Sequence, residues 1–86
     1  MTPFDLLGVE VKPGDSIVHA VREQNVANLR IGIVDRTGVD YEPNVTKQKD
    51  TPKVPVLWVK WDKTTGDYLP MRPTKVAARK VLVVGD

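Results

Sequence analysis

Val54-Pro55-Val56-Leu57-Trp58-Val59-Lys60-Trp61-Asp62 is the most strand-like stretch of the chain. β-Branched and aromatic residues fill it, as they fill pleated, half-buried surfaces. Side chains alternate across a strand. Leu57, Val59 and Trp61 make one wholly apolar side, whereas Val54, Val56, Trp58, Lys60 and Asp62 make a side that turns polar at its end. The pattern predicts Trp61 in the core and Trp58 on the outer surface or rim. Pro55 lacks a ladder N–H and is expected at the start of the strand or along an edge.

Upstream, Leu29–Thr37 reads Leu-Arg-Ile-Gly-Ile-Val-Asp-Arg-Thr. Its period of two predicts a half-buried antiparallel strand with Leu29, Ile31 and Ile33 on the core side and Arg30, Gly32, Val34 and Arg36 on the other. Gly32 is expected at a bulge or a close backbone approach. Lys12-Pro13-Gly14-Asp15 is a strong turn, with proline presetting φ and glycine supplying a positive φ. Ser16–Glu23 follows as a strand, and Gln24–Asn28 makes a short connection. Before it, Asp5-Leu6-Leu7-Gly8 predicts a single helical turn capped by the glycine, then a short extended piece at Val9–Val11.

Downstream, Lys63-Thr64-Thr65-Gly66 predicts a tight hairpin returning the chain through Asp67–Met71. Arg72–Lys80 carries Pro73 and the small pair Ala77-Ala78, which predicts a short helical turn. Val81–Val84 closes the chain as a short buried strand. Between the second and third strands, residues 38–53 are a polar stretch with two prolines, a long loop of the kind that is often functional.

Five short strands without a long amphipathic helix predict an all-β fold, a small barrel or sandwich. The 86 residues have room for one domain, with residues 1–12 as an extension packing on it. No apolar run approaches the roughly 20 residues of a membrane helix. No cationic leader precedes an apolar stretch, so no secretory signal is expected. The chain holds no cysteine, which excludes disulfides, thiolate metal sites and a cysteine nucleophile, and is compatible with a cytoplasmic location.

The order of loops and strands resembles the SH3-like barrel and its KOW and Tudor-type relatives over roughly residues 13–84. The resemblance rests on Gly14-Asp15-Ser16-Ile17-Val18 opening the first strand, Arg30-Ile31-Gly32-Ile33-Val34 in the second, and Pro73-Thr74-Lys75-Val76 before the last. It implies a small five-stranded SH3-like barrel, with a long loop between strands two and three and a short helical turn before the last strand. The layout is also similar to small barrel proteins of tailed phages of actinobacteria, which implies an accessory protein acting on a host protein in the host cytoplasm.

Net charge is +2, too small to define a nucleic-acid binder. The halves differ, however. Residues 1–43 hold four basic and seven acidic side chains, and residues 44–86 hold nine basic and four acidic. Arg30 and Arg36 on strand two, Lys47, Lys49 and Lys53 on the long loop, and Lys60 and Lys63 flanking the third hairpin would make one basic edge beside Trp58. Such an edge binds phosphates, and an exposed tryptophan stacks on bases or anchors a peptide. The alternatives are a solvated surface interspersed with Asp35, Asp40, Glu42, Asp50 and Asp62, and a Trp58 covered by a loop or the N-terminal segment.

His19 has no second histidine and no carboxylate at ligand spacing, which makes it structural. Pro70-Met71-Arg72-Pro73 fits a turn better than a proline-rich ligand, and the Asn44-Val45-Thr46 triplet is a chance match. Asp35 and Asp62 could face one another as an acid–base pair. Nothing positions a nucleophile, an oxyanion site or a cofactor, so the expected function is a non-enzymatic interaction module with no cofactor and no metal. Its expected partner is nucleic acid or protein, with a self-assembling structural barrel as the alternative. It is expected off the membrane, as a monomer or small homo-oligomer.

Overall fold

A computed structural model describes residues 2–23, 26–43, 48–66 and 69–84. The fold is all-β, with strands β1 (Ser16–Glu23), β2 (Val26–Asp40), β3 (Val54–Thr64), β4 (Thr74–Ala77) and β5 (Val81–Val83), and one 3₁₀ turn at Ala78–Lys80. They form one five-stranded sheet in the order β4-β3-β2-β1-β5, and every recorded pair is antiparallel. β4 and β5 are the two edges, yet only the 3₁₀ turn separates them in sequence. Four strand spacings in a flat sheet span about 19 Å. Ala77 and Val81 are bridged by four residue steps, which reach about 14 Å. The sheet must therefore curl, bringing its edges toward each other with no ladder joining them.

The core fills the concave side. Ile17, Val34, Leu57, Val59, Trp61, Val76 and Val81 are buried there with Val11 and Ala78, and Leu69 and Val83 pack against them. Trp61 is 7 % exposed, and its indole N–H donates to the Thr74 hydroxyl at 2.6 Å. Leu57, Val59 and Trp61 face this core as expected, but the alternation breaks at Val56, which lies on the Trp58 side of β3 and is also fully buried, paired with buried Ala77.

β2 faces opposite to expectation. Leu29, Ile31 and Ile33 are 50 %, 39 % and 49 % exposed, whereas Val34 and Gly32 are buried. Two features set this face. Val34 exchanges backbone hydrogen bonds with the preceding turn, its N–H to Asp15 and its carbonyl from Gly14. Gly32 pairs with Trp61, where a Cβ would meet Val59, the Lys60 carbonyl and the Trp61 ring, all within 3 Å. The missing side chain is the room that the indole and Val59 occupy. The expected close approach at Gly32 is thus present, beside a register shift between Ile31 and Gly32.

The turn at residues 12–15 forms as read, with Gly14 at φ 92° and the Asp15 N–H donating to Lys12 at 3.1 Å. The chain also turns at Asp5–Gly8, though as a tight turn and not the expected helical one. Gly8 has φ 82°, and a bridge between Phe4 and Glu10 closes the segment. Buried Asp5 organises it: one carboxylate oxygen accepts from Leu7 and Val9, and the other accepts from Val83. The Leu6 N–H donates to the Val81 carbonyl, so this segment covers the free edge of β5.

Three expected boundaries move, the first being the start of β2, which lies at Val26 rather than Leu29 and takes Val26–Asn28 out of the expected connection into the ladder with β1. β2 continues to Asp40, with Gly38 paired to Val56, so the long loop begins at residue 41. β3 runs to Thr64, and Thr65 still bonds Leu29 through both backbone and hydroxyl. The expected return strand at Asp67–Met71 does not form over its described part, Leu69–Met71; Asp67 and Tyr68 lie outside the described residues. Pro70 and Pro73 cannot donate to a ladder, and β4 begins just after them at Thr74, so Thr74–Ala77 is a strand inside the stretch expected to be a helical turn and only Ala78–Lys80 is helical. Pro55 pairs with Val39 near the start of β3, one residue before β4 begins to pair at Val56.

Candidate interaction surface

A second register shift, between Val34 and Arg36, leaves Asp35 as the extra residue of β2. Val34 pairs with core-facing Val59, and Arg36 pairs with Trp58 on the opposite face. One inserted residue exchanges the two faces of a strand. Arg30 keeps the parity of Gly32 and Val34 and points inward, whereas Arg36 points outward. The expected single basic edge is therefore divided.

The inward part lines an open pocket of about 250 Å³ that includes His19, Arg30, Glu42, Trp61, Thr74 and Lys80. His19 stacks on Trp61 with ring centroids 5.9 Å apart, and the Arg30 guanidinium lies 5.9 Å from the Trp61 ring centroid. Burial, together with the positive charges of Arg30 and Lys80, lowers the His19 pKa below 6.5 and so favours the neutral imidazole. Its Nδ1 is buried without a hydrogen-bond partner. Glu42, at the start of the long loop, pairs with Lys80 at 2.7 Å and Arg79 at 2.5 Å. The Lys80 hydrogen bond outweighs burial and, with the charges of Arg79 and Lys80, lowers the Glu42 pKa. Among the described residues no cluster of three metal-ligating side chains occurs.

The outward part is coherent. The Arg36 guanidinium carbon lies 4.2 Å from the Trp58 ring centroid, a cation–π arrangement. Gly38 lies against the same ring, where a Cβ would sit 3.0 Å from Cζ3. Trp58 is half-buried by these contacts, on the face opposite Trp61. Beyond it, three rows cross the sheet in register. Leu82, Val18, Ile31 and Lys63 form one; Ser16, Ile33 and Lys60 form the next; Ala20 and Leu29 form the third. An aliphatic strip, exposed at Leu29, Ile31 and Ile33 on β2 and half-buried at Val18 on β1 and Leu82 on β5, thus meets exposed lysines on β3.

Of the eight residues expected to form one site, Arg36, Trp58, Lys60 and Lys63 share this outer face. Arg30 belongs to the pocket. Lys53 lies 5.6 Å from the Tyr41 ring and Lys49 is exposed on the loop, while Lys47 and the Asn44-Val45-Thr46 triplet, apart from the rest, lie outside the described residues. Among the described residues Arg36, Lys60 and Lys63 have no ion-pair partner, whereas Lys75 pairs with Asp40 at 3.3 Å and Arg79 and Lys80 pair with Glu42. The Tyr41 N–H and then Lys75 are the main causes that lower the Asp40 pKa.

Sequence reasoning missed Leu29, Ile31 and Ile33 as surface residues. The usable signal was Gly32 opposite a strand with a tryptophan, since a glycine on the inner face can accommodate a large partner. No family model, curated protein or solved structure matches the chain.

Proposed function

We propose that this chain is a non-enzymatic interaction module, in architecture a small SH3-like barrel, that docks a protein partner on the outer face of its sheet. The observation that carries this reading is the aliphatic strip of Leu29, Ile31 and Ile33, exposed at mid-sheet beside three cations and a half-buried tryptophan. Contiguous exposed apolar surface on a small domain marks an interaction site. Aromatic residues and arginine are enriched at protein interfaces, and lysine at their rims remains solvated. The strand order and the 3₁₀ turn between β4 and β5 support the barrel reading. Assembly by edge pairing is disfavoured at β5, because the N-terminal segment covers that edge.

Nucleic-acid binding is the second reading, favoured by the Arg36–Trp58 pair with Lys60 and Lys63 around it. The aliphatic rows count against it, because they offer a phosphate or a base edge nothing polar. Site-specific photocrosslinking separates the two. A benzoylphenylalanine at Ile33 should give discrete protein adducts in an extract of the producing cells, and one at Glu10 should not. Equal labelling from both positions, or no labelling at Ile33 together with oligonucleotide-induced NMR shifts at Arg36, Trp58 and Lys60, would reject protein docking.

A further inference from the structure

We infer that the outer face receives an amphipathic helix whose apolar stripe is bordered by acidic residues, an inference that rests on the protein-docking reading above. β1 and β2 are interior strands with ladders on both sides, so this face presents side chains and offers an incoming strand no backbone partner. An extended peptide laid across it would leave its own N–H and C=O groups without protein partners, whereas a helix satisfies them internally.

The dimensions agree. Side chains at Leu29, Ile31 and Ile33 repeat about every 7 Å along β2 and together span about 14 Å, the length of roughly two and a half helical turns. The strip crosses β5, β1 and β2, a width of about 10 Å, which is the diameter of one helix. Its apolar members come from consecutive cross-strand rows: Leu82, Val18 and Ile31; Ile33; then Ala20 and Leu29.

Charge selects the partner. The β3 flank of the strip carries Lys60 and Lys63, with Arg36 above Trp58, and none has an ion-pair partner among the described residues. Lys75, Arg79 and Lys80 are matched by carboxylates within the fold, and the other described cations without an ion pair, Lys12, Lys49, Lys53 and Arg72, lie in turns and loops rather than on this sheet face. The rows contribute no carboxylate, so a second copy stacked on this face would oppose like charges. A helix with glutamates beside its apolar stripe supplies the missing partners.

The test is an NMR titration of the full labelled chain. The probe is a designed helix of about four turns with leucines at i, i+4, i+7 and i+11 and glutamates beside them. Its counterpart carries lysine in place of every glutamate. The expected result is shifts confined to Val18, Leu29, Ile31, Ile33, Lys60 and Lys63. Affinity should fall about tenfold or more for the lysine helix, and fall with salt for the acidic one. Lys60→Glu/Lys63→Glu, with a dispersed spectrum proving that it folds, should reverse the preference between the two peptides.

Equal binding of both peptides, or binding of neither, overturns the inference. If neither binds while crosslinks still form at Ile33, docking stands and its occupant is not such a helix. If neither binds and no crosslinks form, the docking reading fails with it. Binding of phosphatidylserine vesicles or an oligonucleotide through these same residues in preference to the acidic peptide, or a dimer that buries them, also overturns it.

Discussion

Replacing Gly32 by alanine tests the reasoning that fixes the face of β2. The added Cβ would lie 2.6 Å from Val59 Cγ1, 2.7 Å from the Lys60 carbonyl oxygen and 2.9 Å from Trp61 Cε3. Real Cβ contacts are longer than all three. Trp61 and Val59 are core residues, and the Lys60 carbonyl belongs to backbone of the ladder between β2 and β3. None is the loose end of a flexible side chain, so β3 itself must shift. Overpacking of this kind costs about 1–3 kcal/mol, and backbone involvement places Gly32→Ala at the upper end. Removing a glycine also stiffens the unfolded chain, which returns about 0.5–1 kcal/mol. The net loss is about 2 kcal/mol, out of a total that for this length is roughly 4–13 kcal/mol. With a urea slope near ~1 kcal/mol/M, the midpoint should fall by about 2 M. Gly38→Ala is the matched control, because its Cβ meets only the far edge of the Trp58 ring, at 3.0 and 3.4 Å. Equilibrium urea unfolding followed by tryptophan fluorescence reads both. If Gly38→Ala lowers the midpoint as much as Gly32→Ala does, the close approach does not set the register, and the outer assignment of Ile31 and Ile33 loses its cause.

Trp61→Ala should cost about 3–5 kcal/mol and leave the domain largely unfolded by circular dichroism, whereas Trp58→Ala, removing a half-buried ring, should leave it folded. The reverse ranking would invert the faces of β3. Asp5→Ala strips three backbone N–H groups of their acceptor and should cost about 2–4 kcal/mol in thermal or urea unfolding; a neutral effect would mean that the N-terminal segment is not held by this carboxylate. Burial opposes ionisation of Asp5, but the N–H groups of Val83, Val9, Leu7 and Gly8 prevail and lower its pKa. Its stabilisation is therefore complete above its ordinary value of 3.8 and is lost as pH falls through the lowered one. Asp5→Asn should flatten that acid limb, and an unchanged limb would assign it to other carboxylates. His19 is lowered by burial and by Arg30 and Lys80, so the folded state resists its protonation and loses stability as pH falls below 6.5. An NMR titration of the ring protons should place its pKa under 6.5, and a midpoint above that value would refute the cationic, desolvated pocket.

Local chemistry was the legible part of the sequence. Pro13-Gly14 set the turn, the apolar side of β3 put Trp61 inside, and β1 has the expected limits, Ser16–Glu23. What alternation could not supply was information about the neighbouring strand. β2 has three large aliphatics on one side and a glycine, a valine and two arginines on the other, so counting apolar residues selects the wrong face. Packing selects by volume instead, and the indole of Trp61 requires Gly32 opposite it. Asp5 was illegible for a related reason. It occurs in a turn like any solvated aspartate, and only the return of β5 brings the Val83 N–H within 2.9 Å.

The two bulges also change the meaning of the charge count. Without the extra residue at Asp35, Arg30 and Arg36 would share a face, and the chain would carry a basic stripe suited to a phosphate backbone. With it, Arg30 enters the pocket and contributes to lowering the His19 pKa, while Arg36 lies on Trp58. Part of the contrast between an acidic first half and a basic second half is likewise met by pairing within the fold. Asp40 and Glu42 at the end of β2 neutralise Lys75, Arg79 and Lys80 around β4 and the 3₁₀ turn. These pairs secure the start of the long loop against the curled edge of the sheet. Arg36, Lys60 and Lys63, the cations of the outer face, have no ion pair among the described residues, as is also true of Lys12, Lys49, Lys53 and Arg72 in turns and loops, but these three stand beside the aliphatic rows. A surface arranged this way is complementary to a partner carrying carboxylates and apolar side chains together, which a nucleic-acid backbone does not offer.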